Sequence, residues 1–193
     1  MNILNLIKSR RSVTPKLYND IEISDDELRL ILEAANWAPT HKKTEPWRFR
    51  VLKSHSKDSL GKFLAKKYKE TATSYSKFKH YDFIEKAKKS AVIILICMQR
   101  DPQESIPEWE EIAAVSMSVQ NMWLMATNLQ IGSYWSSTKL INYINEFTPL
   151  DKGETCLGIF YMGKFEKKLI PRTPGPIEKN KMDIIIMLDL KFK

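Results

Sequence analysis

The sequence predicts a single α+β domain, with several helices around a central sheet of few strands and one dominant buried helix. Three observations carry this. Residues 91–98 (AVIILICM) are apolar on both faces, as a central strand requires. Residues 108–130 hold Ile112, Ala113, Val115, Met117, Val119, Met122, Trp123, Leu124, Met125 and Leu129, a helical pattern with almost no polar face. And 193 residues without a Gly/Ser linker, a repeat or a low-complexity tract make one core rather than two.

The elements follow in order. Residues 2–9 place Ile3, Leu4, Leu6 and Ile7 on one helical face, and Pro15 then prevents continuation. Ser24 followed by Glu27 is a capping box, and Leu28, Ile31, Leu32 and Ala35 mark a helix that should end near Trp37, ahead of Pro39. Trp47, Phe49 and Val51 alternate with Arg48 and Arg50, a half-buried strand. Residues 56–69 read as a helix with Leu60, Phe63 and Leu64 inward, and 71–89 as loop and helix covering the functional site. Residues 101–107 form a loop. The long helix spans roughly 35 Å at its full length, and Gly132 is the expected stop. Residues 133–135 are extended. Residues 138–147 are helical, with Leu140, Ile141, Ile144 and Phe147 on one face. Residues 155–162 form a strand closed by Gly163, and 184–188 are a last apolar segment in need of a partner.

Composition narrows the function. The chain is 43% hydrophobic and 28% charged, the balance of a folded globular protein. Its longest apolar run is far short of the roughly 20 residues of a membrane span, and no signal peptide is read, so a cytoplasmic location is expected. Cys97 and Cys156 read as isolated buried thiols, with no disulfide framework. The net charge of +8 concentrates in residues 62–89, where nine lysines face Glu70, Asp82 and Glu85. Such a face attracts anions, or is simply solvated. Aromatic residues interleaved there (Tyr68, Tyr75, Phe78, Tyr81, Phe83) leave a polyanion-binding module as a remote alternative, with no specific nucleic acid expected. The glycine loops GxGxxG and GxxxxGK[ST] and the GxSxG elbow are absent, and His41, His55 and His80 stand apart without cysteines at metal-ligand spacing.

Two clusters remain. Arg10-Arg11-Ser12 offers two guanidinium forks and a hydroxyl, donors that suit a phosphate. A surface basic pair at a helix C-terminus is the plain alternative. Ala38-Pro39-Thr40-His41-Lys42, followed by Pro46-Trp47-Arg48-Phe49, presents His41 and Lys42 on a loop between rigid elements, where binding residues tend to sit. A simple helix–strand connection is the alternative there.

Taken together and in order, these motifs resemble the FMN-dependent nitroreductase family, in particular its compact members. The likeness adds Ile131-Gly132 after the long helix, Trp135-Ser136-Ser137, the strand Leu157-Gly158-Ile159-Phe160-Tyr161-Met162-Gly163, and Arg172-Thr173-Pro174, so it covers most of the chain. The resemblance implies a nitroreductase-like fold in an interlocked homodimer, with two FMN sites at the subunit interface. It implies that Arg10, Arg11 and Ser12 hold the flavin phosphate and ribityl chain or the pyrimidine edge. His41 would reach the flavin of the other subunit. Trp135, Ser136 and Ser137 would line the ring and its tail, and Arg172 would bind phosphate. Trp37 stands where compact relatives often carry an arginine, and Ser136 where they carry a basic residue. The implied activity is ping-pong transfer of electrons from NADH or NADPH to small planar acceptors such as nitroaromatics and quinones. A flavin-binding protein, or a flavin enzyme of narrower chemistry, is the alternative on the same fold.

Overall fold

The computed structural model describes residues 2–166. Arg172 and the apolar segment 184–188 lie outside the described residues. The helices are α1 (Ile3–Ser9), α2 (Asp25–Ala35), α3 (Ser54–Thr71), α4 (Lys77–Lys89), α5 (Glu108–Asn128) and α6 (Ile144–Phe147). The strands are β1 (Trp47–Leu52), β2 (Val92–Gln99), β3 (Ile131–Ser136) and β4 (Glu154–Lys164). They form one antiparallel sheet in the order β1-β2-β4-β3.

The alternation of strand side chains divides the core into two layers. Ile94, Ile96 and Met98 of β2 and Phe160 and Met162 of β4 pack against Ile31 of α2 and Val115, Val119 and Met122 of α5. Ile93, Leu95, Cys97, Ile159 and Tyr161 face the other way, toward Leu60 and Leu64 of α3, Ala87 of α4, Leu140 and Ile144. The central position of β2 accounts for its run of buried residues, as its apolar sequence requires. Each such side chain contributes about 1.5–3 kcal/mol when fully buried.

The capping box of α2 forms: the Glu27 amide donates to Ser24 Oγ at 3.2 Å, and the Ser24 amide donates to Glu27 at 3.0 Å. The helix ends at Ala35, with the chain turning through Trp37. On α5, Ala114, Val115, Ser118, Val119, Met122 and Ala126 are buried, and the Ser118 hydroxyl donates to the Ala35 carbonyl of α2 at 2.9 Å. The helix is not surrounded, however. Trp109, Ile112 and Met117 are exposed along one stripe. The apolar face of α1 is likewise open, with Ile3, Leu4 and Ile7 exposed and α5 as its packing partner.

Three expectations are corrected. Gly132 is not the helix stop. The helix closes through Leu129, and Gln130 makes the turn at a φ of 58°. Gly132 lies within β3, directly opposite Gly163. Gly163 does not close its strand, since β4 runs on to Lys164. Both glycines serve Tyr18, whose ring lies flat where their side chains would be: a Cβ would come within 2.9 Å of the ring at Gly132 and 2.5 Å at Gly163. The Tyr18 hydroxyl reaches the Val13 carbonyl at 2.7 Å and that of Tyr161 at 3.0 Å, and burial pushes its pKa up. Third, residues 138–147 divide into a 3-10 helix, Lys139–Tyr143, and the single turn of α6. Helix α4 packs against α3 and the Pro15–Leu17 turn, in the sheet layer opposite α2 and α5. No helix among the described residues is long and apolar enough to cross a membrane.

Candidate functional site

The first cluster sits where α1 ends. Arg11 folds back, its Nη1 donating to the carbonyls of Lys8 at 2.7 Å and Arg10 at 2.8 Å. The Arg10 guanidinium lies 4.7 Å from the centre of the Trp123 ring, a cation–π contact with α5. Trp123 also donates its indole N–H to the Arg11 carbonyl at 3.2 Å, so one side chain fixes both arginines. Burial, and then the like charge of Arg11, lower the Arg10 pKa. An anion placed between the two guanidiniums would relieve that repulsion.

Next along the chain, Ser12 pairs in parallel with Ser133 of β3, and the Val13 amide donates to the Ser133 carbonyl at 3.0 Å. Ser133 is buried and its hydroxyl has no partner. Trp135 is half-buried against Gly158, where any Cβ would collide with the indole, and its N–H is also unpartnered. Ser136 ends the strand about 10 Å from Ser133, and Ser137 is exposed beyond it. The structure therefore sets Ser12 beside the middle of β3, with Arg10 and Arg11 against Trp123 of α5. The donor set fits a phosphorylated, hydroxyl-rich ligand.

The second cluster lies at the other end of α5. Lys42, Lys43 and Glu45 all adopt positive φ (50°, 56° and 41°), an unusual density of left-handed non-glycine residues. Thr40 holds this loop, its Oγ1 accepting from the Glu45 amide at 3.2 Å. His41 Nδ1 meets Glu110 of α5 at 2.5 Å, and Lys42 donates to the Ser105 carbonyl at 2.9 Å. Ser105 belongs to a loop anchored by Arg100, which pairs with the fully buried Glu111 and donates to the Ile106 carbonyl at 2.7 Å. Beside His41 runs a groove of about 370 Å3 lined by Pro39, Thr40, Trp109, Glu110 and Met117. Trp37 is 80% exposed just after α2, and Trp109 is 67% exposed.

The two clusters do not meet in one chain. Glu110 and Trp123 are thirteen residues apart on α5, about 20 Å at 1.5 Å per residue. His41 is thus carried away from Arg10–Ser12. A separate cleft of about 340 Å3 near Asn19 and Glu22 is lined by Lys53, Lys57, Lys88 and Lys89. Lys53 there is paired with Asp25, and Lys57 with Asp58 and the end of α4, so it offers few free donors.

Trp123, Ser133 and Glu110 were not singled out from sequence. Trp123 is one apolar residue among many in its helix, and its indole N–H leaves no trace in the periodicity. Glu110 reads as an acid in the first turn of a helix, where the dipole favours it anyway.

Comparison with known proteins supplies the frame. The profile of the nitroreductase family matches residues 7–164. The chain is 29% identical over 138 residues to the "Putative NAD(P)H nitroreductase YfhC" of Bacillus subtilis, spanning 71% of this chain and 70% of that one. Among solved structures, a nitroreductase-like family protein from Bacillus cereus superposes with a TM-score of 0.77 at 25% identity, covering 98% of this chain and 97% of its own. A "putative nitroreductase in complex with fmn" from Desulfovibrio desulfuricans gives a TM-score of 0.68 at 26% identity, over 100% and 99% of the two chains. With the family profile spanning most of the described chain, on the fold and motifs set out above, the protein belongs to the nitroreductase family.

Proposed function

We propose that this protein is an NAD(P)H-dependent FMN oxidoreductase that works as a homodimer, each site being built from both chains. The observation that carries the reading is the separation of the two clusters along α5. Arg10, Arg11 and Ser12 would hold the phosphate and ribityl chain. Trp135, Ser136 and Ser137 would line the cofactor from β3. His41, oriented by Glu110, would reach the flavin bound by the partner, with Trp37 beside it. Trp109, Ile112 and Met117 on α5 and Ile3, Leu4 and Ile7 on the adjoining α1 supply the apolar surface that a second copy would cover.

Bound FMN supplies two-electron transfer between reduced nicotinamide and a small planar acceptor, the two taking turns on one face. The chain's own part is to bind and to bias. Positive groups at the pyrimidine edge favour the reduced cofactor, which gathers negative charge there. The groove beside His41, closed over by the second copy that covers Trp109 and Met117, would give a flat molecule a place to stack away from water. Nitroaromatics and quinones fit that description.

The test has two parts. Purified protein should be yellow, release FMN on heating and sediment as a dimer. It should then oxidise NADH or NADPH with menadione or a nitrofuran as acceptor. A full flavin load without turnover would support the narrower flavin enzyme or carrier. A colourless monomer that refuses added FMN would overturn the proposal.

A further inference from the structure

Cys97 and Cys156 lie 59 positions apart in sequence, yet they are opposite one another in the sheet, as register partners on β2 and β4. A bulge makes this possible. Register slips between Ile96 and Cys97, so that Ile96 pairs with Gly158 while Cys97 pairs with Cys156, leaving Leu157 as the extra residue. Without it, Cys156 would share the face of Gly158, Phe160 and Met162. With it, Cys156 joins Cys97, Ile159 and Tyr161 in the layer beneath α3, and Leu157 turns to the α5 side. Directly opposed residues of an antiparallel pair have Cα atoms about 4.5–5.5 Å apart, inside the roughly 4.4–6.8 Å window of a disulfide. Both thiols are free and buried.

We propose that Cys97 and Cys156 are an oxidant-sensitive dithiol that closes into a reversible intrachain disulfide between β2 and β4. A hydroperoxide is the oxidant. The Cys156 sulfur, the less enclosed of the two, attacks the peroxide oxygen, the O–O bond breaks, and a sulfenic acid forms with release of water or an alcohol. The Cys97 sulfur then attacks the sulfenic sulfur, its proton leaves with the hydroxyl as a second water, and the S–S bond forms. Both electrons of the thiol pair have gone to the peroxide. The order of attack follows from the contact between the thiols. Hydrogen bonding from Cys97 lowers the Cys156 pKa, and the same contact raises that of Cys97. The Arg50–Glu154 ion pair, 2.5 Å between its charged atoms, lies beside them, and its two charges act on the Cys156 sulfur in opposite senses.

The experiment treats the folded, full-length protein with hydrogen peroxide, quenches in acid, and alkylates under denaturing conditions before intact-mass measurement. The expected product is a monomeric chain lighter by two hydrogens, with neither cysteine alkylated, that regains two alkylatable thiols after dithiothreitol. In C97S, dimedone should label Cys156, whereas in C156S the remaining thiol should stay unlabelled at the same dose. Two alkylated thiols in treated wild type would overturn the proposal, as would disulfide-linked pairs of chains or a stable dimedone adduct in place of the closed bond.

Discussion

The two ends of α5 are built to different plans. At the C-terminal end, Met122 and Ala126 are buried and Trp123 is roofed by Arg10, so the helix is satisfied within its own chain. At the N-terminal end, a fully buried glutamate is tied to Arg100 on one side while Trp109, Ile112 and Met117 are left bare on the other. One rod thus carries a corner closed within its own chain and an apolar face left open. The difference teaches that the helix meets two environments at once, core on one side and, on the other, an open apolar face that we propose a second copy covers. That is why its sequence is apolar nearly all round.

Substitutions can break this contrast. The largest effect is expected at the closed end. Arg10→Ala with Arg11→Ala removes two charge-assisted contacts to phosphate, each worth about 1.5–3 kcal/mol. FMN affinity should fall by at least about 100-fold in a fluorescence titration, with the dimer intact by sedimentation. Unchanged affinity would sink the phosphate assignment.

At the open end, Arg100→Leu strands Glu111 in the core, at a cost of about 3–5 kcal/mol. Thermal denaturation should shift down by about 6–20 °C for a chain of this size. Adding Glu111→Leu should recover most of the loss, because the penalty belongs to the uncompensated charge. If the single variant melts like wild type, the pair is ornamental.

Met117→Asp tests the bare stripe itself. A charge at the centre of an apolar contact is expected to weaken self-association by about 2 kcal/mol or more. FMN should be lost along with the dimer, although Met117 lies about 9 Å along the helix from Trp123, where Arg10 packs. A variant that stays dimeric and yellow would place the interface elsewhere.

Trp123→Phe keeps the ring and deletes the indole N–H that holds the Arg11 carbonyl. The loss of one neutral hydrogen bond, about 0.5–1.5 kcal/mol, predicts roughly 2- to 10-fold weaker FMN binding.

The smallest effect lies off the helix. Lys164 pairs with Glu27 and holds its carboxyl below the ordinary value of 4.5. A carboxylate with a lowered folded pKa stabilises the protein above its unfolded pKa, and that contribution is lost as pH falls from about 4.5 through the folded value. Glu27→Gln should therefore flatten the acid limb of urea-unfolding curves while costing under about 1 kcal/mol near neutrality. An unaltered acid limb would show that the pair is solvated away.

Much of the fold was legible in the chain. The capping box at Ser24, the all-apolar β2 and the length of α5 each rest on local pattern, and each stands in the structure. Gly132 and Gly163 were misread because glycine at a helix end and glycine beneath a distant aromatic ring look the same in sequence. The contact with Tyr18 is long-range and leaves no local mark. Of the site, the sequence order places Ser12 against Ser133 of β3 and the two arginines against Trp123, while the flavin contacts remain a proposal. Trp123, which holds the two arginines, and Glu110, which holds His41, lie in a helix whose periodicity speaks only of burial. The pairing of Cys97 with Cys156 was hidden for a related reason: it depends on one extra residue in one strand, and strand parity cannot be counted across an unseen bulge.

Tyr18 and the two glycines beneath it have a consequence for descent. No one of the three can change profitably alone: a side chain at Gly163 evicts the ring, and a smaller residue at position 18 leaves a void over two bare backbones. Drift through this corner would have to pass through paired replacements, so a lineage that loses the tyrosine should show Gly163 released to alanine or serine, whereas Gly132, also pressed by Phe165 and Val13, should stay glycine.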